Sequence, residues 1–225
     1  MYEFVTGPMV WLSFGIFFGG LFLRLFNYLK GLNWQMDRVT YHVNTSYGIR
    51  GAARSIFYWL LPFGTRGWRL YPGFTVLVFV FHFTLLITPV FLLSHNMLLK
   101  EKLGISFWTM PEFSSDIMTI VVILSAVFLL MRRFALPEVR ALTTSYDLVI
   151  MVIAVTPFVT GFFSFHQVGN YNFWVVVHVI CGEVMLIAIP FTKLSHFLLF
   201  FLSRWQLGMD YGIKRGGMKS RGIAW

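Results

Sequence analysis

The hydrophobic positions of this chain fall in long unbroken runs rather than in the alternation of strands. Five runs reach or approach the ~20 residues that a membrane helix needs. They predict spans at about 5–25, 73–97, 116–131, 146–165 and 173–202. Polar residues collect between them, above all in a basic loop, 26–72, and a basic tail, 203–225. The first span carries Gly7, Gly15, Gly19 and Gly20, a small-residue side suited to close helix contact. Residues 50–63 mix Arg50 and Arg54 with Ile56, Phe57, Tyr58 and Trp59, which suits a short helix lying in the membrane interface. The tail from Gly208, rich in glycine and basic residues, reads as an extended segment shaped by a partner or by lipid headgroups. The fold class expected is all-α: an integral membrane five-helix bundle, one membrane domain over 1–225.

Charge orients the bundle. Arg24, Lys30, Arg38, Arg50, Arg54, Arg66 and Arg69 stand against Asp37 alone. Arg132, Arg133 and Arg140 follow the third run, and Arg204, Lys214, Arg215, Lys219 and Arg221 follow the fifth. The other two connections differ. Residues 98–115 balance Lys100 and Lys102 against Glu101 and Glu112, and 166–172 contain no Lys or Arg. Basic segments stay on the cytoplasmic side. The amino terminus is therefore expected outside and the carboxyl terminus in the cytoplasm, in an inner (cytoplasmic) membrane.

Composition agrees. The chain is 57% hydrophobic and 12% charged, about half the charged fraction usual in soluble domains. The net charge of +9 follows from topology, so no nucleic acid is expected as partner. Cys181 is the single cysteine, which excludes an internal disulfide, a thiolate-held iron–sulfur cluster and covalent haem attachment through CxxCH. The opening MYEFVTGPMVW has no basic stretch before its apolar residues and reads as a retained first span rather than a cleaved signal.

Four histidines fall within the second and fifth runs. His178 and His196 are eighteen residues apart. On one continuous helix that is five whole turns, so both imidazoles leave one side, about 27 Å apart. The second run holds His82 and His95, with Pro89 between them. The two spans run in opposite directions, which pairs His82 with His196 in the inner leaflet and His95 with His178 in the outer. Ionisable side chains inside a membrane mark function. Two imidazoles fill both axial positions of a haem iron, leaving a centre that transfers electrons. The metal-ligand candidates are His82, His95, His178 and His196. His82 and His95 are thirteen residues apart, about 220° and 19.5 Å on an ideal helix. They share no face unless Pro89 kinks or unwinds the span. His42 and His166 read as surface histidines, with His166 in reserve as the outer ligand.

Other residues carry weaker signals. Lys193, Arg66 and Arg69 are candidates to bind haem propionates, or else positive-inside anchors. Glu183 and Lys100 are candidates for a quinone or proton path; a neutral, hydrogen-bonded acid is the alternative at Glu183 and a surface role at Lys100 and Lys102. Trp108 and Trp174 suit an outer aromatic belt.

The five spans, the histidines on spans two and five, and the segment Ile189-Pro190-Phe191-Thr192-Lys193-Leu194-Ser195-His196 resemble the gamma subunit of respiratory nitrate reductases. That family includes membrane subunits of heterodisulfide reductases and of sulfate-reducer electron-transfer complexes. The resemblance implies a di-haem cytochrome b, with two haem b, that exchanges electrons with membrane quinol or quinone (menaquinone) and with a cytoplasmic iron–sulfur protein subunit. The His82–His95 spacing is longer than in the nitrate reductase branch. The long basic first loop and short tail look more like the sulfate-reducer complexes, where an outer multihaem cytochrome c is a further partner. Two other functions compete: a proton-coupled membrane transporter using histidine and Glu183 as a relay, and a non-redox membrane anchor for a catalytic subunit. The odd span count and the lack of an inverted repeat weigh against the transporter.

Overall fold

The computed structural model describes residues 2–32 and 45–214. Asp37, Arg38, His42, Arg215, Lys219 and Arg221 lie outside the described residues. The described chain is helical, with no strand. Its helices are α1 (Tyr2–Gly31), α2 (Thr45–Leu60), α3 (Arg66–Leu70), α4 (Pro72–Phe91), α5 (Leu93–Leu103), α6 (Glu112–Ala135), α7 (Pro137–Ala141), α8 (Ser145–Phe165), α9 (Tyr171–Phe191) and α10 (His196–Lys214). Among them α1, α4, α6, α8 and α9 are long and apolar enough to cross a membrane. Large apolar side chains such as Phe22, Phe83, Leu124 and Val152 stand exposed along them, as on a surface that lipid covers. This is the makeup of a multi-pass membrane protein.

The boundaries differ from the sequence reading where the chain breaks inside an apolar run. Span two ends at Phe91 rather than residue 97, and span five at Phe191 rather than 202. Pro89 and Pro190, near these two ends, cannot donate a helical hydrogen bond. At the second break Thr192 is extended, its hydroxyl accepts from the Leu194 amide at 3.2 Å, and Ser195 Oγ donates to its carbonyl at 2.8 Å. A threonine cap thus starts a new helical segment. Hydropathy does not register such a cap, since it sits within a run of otherwise apolar residues.

The helices cluster into two compact units, residues 1–14 with 76–188 and residues 15–75 with 189–225. In the first, α6 packs against α8; Val122, Ser125 and Ala126 of α6 and Ile150, Ala154 and Phe158 of α8 are buried. Helix α8 opens with a reciprocal cap: the Thr144 amide donates to Asp147 Oδ2 at 2.9 Å, and the Asp147 amide to the Thr144 hydroxyl at 3.4 Å. Helix α5 closes on Gly104, whose φ of +70° lets its amide reach the Lys100 carbonyl at 3.0 Å. Gly104→Ala should cost about 1 kcal/mol at this left-handed position. It should lower the thermal midpoint in detergent, and an unchanged midpoint would speak against the cap.

In the second unit α2 and α10 make the most extensive helix contact. Glycine backbones meet there directly: a Cβ on Gly208 would lie 2.7 Å from the Ala52 Cα, and one on Gly212 would lie 2.5 Å from the Tyr47 carbonyl oxygen. Gly48, Ala52 and Ser55 form the buried stripe of α2, so small residues four apart on both helices permit the approach. This corrects the expectation of an extended tail from Gly208. Residues 208–214 are helical because close packing outweighs the intrinsic helix penalty of glycine. Much of the basic segment 26–72 is helical as well.

Candidate metal centre

The site forms where α4 breaks. The last carbonyls of a helix have no partner within it, and the residues after the break supply them. His95 Nδ1–H donates to the Pro89 carbonyl at 2.8 Å, Asn96 Nδ2 to the Val90 carbonyl at 2.7 Å, and the Met110 amide to the Phe91 carbonyl at 3.0 Å. Asn96 is 2% exposed and also accepts from the Phe107 amide at 2.7 Å. Leu92, extended at φ −71° and ψ 132°, carries the change of direction. The poor phase match between His82 and His95 on one ideal helix is thereby resolved, because the two lie on different helices.

His178 meets His95 from α9. Its Nδ1–H donates to the Pro157 carbonyl of α8 at 2.9 Å, with the Thr160 hydroxyl 3.4 Å away. Gly161, one turn beyond Pro157 on the same face, makes room: a Cβ there would stand 2.9 Å from His178 Cε1 and 3.1 Å from its Nδ1. The His95 and His178 rings lie with centroids 6.0 Å apart and planes 16° from parallel. Two metal–nitrogen bonds of about 2.0 Å, plus the reach from each nitrogen to its ring centre, sum to about 6 Å. The centroid separation matches that sum, and the two rings are stacked.

The other two candidates repeat the chemistry. His82 Nδ1–H donates to the Val78 carbonyl at 2.8 Å, and His196 Nδ1–H to the Lys193 carbonyl at 2.9 Å. In all four rings Nδ1 donates to a backbone carbonyl, which in the neutral ring leaves the lone pair on Nε2. This is the outer-shell arrangement that orients metal-bound histidine. Among the described residues no three or more His, Cys, Asp or Glu side chains converge. Haem needs only two, since the porphyrin supplies four nitrogens. His82 falls in the first unit and His196 in the second.

The expectation that His178 and His196 share one helix does not hold. Five turns of continuous helix do not connect them, because the chain is extended at Thr192 and α10 begins at His196 itself. In its own unit His196 opens onto a cavity of about 620 Å³, within the range of ligand pockets. Leu199, Phe200, Ser203 and Arg204 of α10 line it, recurring at helical spacing from His196.

The remaining candidates are placed as follows. Lys193 lines the His196 cavity, whereas Arg66 and Arg69 do not; both are exposed on α3, and Arg69 Nη1 donates to the Phe63 carbonyl at 3.4 Å. Glu183 is 3% exposed, and neither carboxylate oxygen has a hydrogen-bond partner among the described residues. Lys100 is exposed near the end of α5, and Lys102 pairs with Glu101 at 2.8 Å. His166 Nε2 sits 3.3 Å from Asp116 Oδ2, a partner that accounts for it without a metal. Sequence reading missed Asn96, Thr160 and Gly161. Gly161 had a legible signal: it stands four residues after Pro157 on a neighbouring span.

In comparison with known proteins, the chain is similar to a protein of Nitratidesulfovibrio vulgaris (strain Hildenborough), 50% identical over 217 residues, 96% of each chain. No family model and no solved structure matches it.

Proposed function

We propose that this chain, which belongs to the same family as the Nitratidesulfovibrio vulgaris protein, is a di-haem b-type cytochrome subunit that carries electrons across a membrane. The observation that carries the reading is the His95–His178 pair, near-parallel at 6.0 Å, with both Nδ1 atoms tied to carbonyls. When bound, haem supplies reversible one-electron chemistry, and two axial imidazoles leave no position for oxygen or substrate. His95 and His178 bind one iron. For the second iron the sequence offers His82 and His196, whose spans run antiparallel. The breaks at Leu92 and Thr192 aim the ligands: each frees a histidine from the phase of the apolar span before it.

The distribution of basic residues supports an outer amino terminus and a cytoplasmic carboxyl terminus, in an inner (cytoplasmic) membrane. The partners proposed are those of the resemblance: quinol or quinone, or an outer multihaem cytochrome c, on one side and a cytoplasmic iron–sulfur subunit on the other. Glu183 supports a second reading, a proton-coupled transporter, because a buried acid without a hydrogen-bond partner in a span is costly unless it serves a proton path. Haem extraction and the reduced optical spectrum of the purified chain decide between them. Two b-type haems per chain are expected, and a haem-free, folded protein would overturn the cytochrome.

A further inference from the structure

We infer that Glu183 takes up a proton when an electron reaches the haem held by His95 and His178, and gives it back when that electron leaves; the inference rests on the cytochrome reading above. Glu183 is the one acid of α9, which carries no Lys or Arg. The residue is 3% exposed, and neither carboxylate oxygen has a hydrogen-bond partner among the described residues. A buried carboxylate keeps its charge only where another charge or a donor compensates it.

The elements that touch α9 offer little compensation. Helix α8 meets it at His178 and through the Phe163 and Trp174 rings, 4.8 Å apart. The only titratable side chains of α8 are Tyr146 and Asp147, both in its first turn. Helix α5 meets it at His95. Beyond that ring, Lys100 is exposed and Lys102 pairs with Glu101. Helix α1 approaches α9 at Pro190, which a Cβ on Gly20 would meet at 2.7 Å, and α1 has no titratable side chain between Glu3 and Arg24. On α9 itself the titratable neighbours are Cys181 and His178.

His178 stands five residues before Glu183, about 7.5 Å along the helix. A ferric haem core carries one positive charge, and reduction removes it. The oxidised haem thereby supplies the charge that the helices do not, and Glu183 must find a proton once that charge is gone. Unit charges ~10 Å apart at an effective dielectric of ~20 change an ionisation equilibrium roughly tenfold. The step balances: one electron from quinol or the iron–sulfur partner reduces the iron, and one proton from water forms an O–H bond on the Glu183 carboxylate. Reoxidation breaks that bond and returns the proton to water. A neighbouring proton favours the ferrous state, so the midpoint potential should fall as pH rises.

Redox-induced infrared difference spectroscopy and optical redox titration of the full-length protein with both haems bound are the test. On reduction the parent should gain a protonated-carboxyl C=O band, and one of its two midpoint components should fall with rising pH. Glu183→Gln should lack the band and lose most of that pH dependence. Glu183→Asp should keep both, with the band at a shifted frequency. An unchanged band and unchanged pH dependence in Glu183→Gln, with both haems retained, would overturn this assignment but not the cytochrome. So would a parent whose reduction produces no carboxyl band. Should Glu183→Gln fail to bind haem, Glu183→Asp decides alone: a shifted band upholds the assignment and an unshifted one overturns it. A parent protein without haem overturns both.

Discussion

His178→Ala is expected to lower the haem content from two per chain to one, with the surviving haem keeping its spectrum. His178 is held by α8: the Pro157 carbonyl accepts from its Nδ1, the Thr160 hydroxyl lies 3.4 Å from that atom, and Gly161 leaves room for the ring. Alanine supplies no nitrogen, and no other imidazole of the described residues is placed to substitute. His166 is engaged with Asp116, so His166→Ala should retain both haems. His95→Ala should lose the same haem as His178→Ala, since both sit on one iron. Haem quantitation by pyridine haemochrome, with protein measured independently, checks all three. Two haems in His178→Ala would refute the ligand assignment.

Gly161→Val is expected to lose that same haem without touching a ligand. A Cβ at 161 would intrude on the His178 ring at 2.9 Å, well inside ordinary contact. Overpacking of this kind costs about 1–3 kcal/mol. The ring is the movable partner, so it should swing off the Pro157 carbonyl and away from His95. Gly182→Ala on α9 is the matched control, because a Cβ there meets nothing within 4 Å. It should keep both haems. Equal haem content in Gly161→Val and the parent would show that the ring does not need the hollow.

The span count was legible because each span is an apolar run long enough to read without a partner. The candidate histidines were conspicuous because each lies in or beside such a run. The route by which His95 reaches His178 was not legible. The sequence argument placed His178 and His196 on one helix by counting turns, but Thr192 caps a new helix between them. A cap of this kind lies in side-chain hydrogen bonds rather than in hydropathy. The misfit at His95 was the better guide: its rotation away from His82 demanded a break, and the break at Leu92 is there, closed by Asn96. The helical tail was missed because Gly208 and Gly212 look like loop residues until α2 is packed against them.

Low-temperature electron paramagnetic resonance of the oxidised, purified protein tests the central claim most directly, since it reports the axial ligands of each ferric iron. If His95 clasps one iron with His178, and His82 the other with His196, the spectrum will contain low-spin ferric signals integrating to two spins per chain. A high-spin ferric signal of comparable intensity, or no haem signal at all, would contradict it.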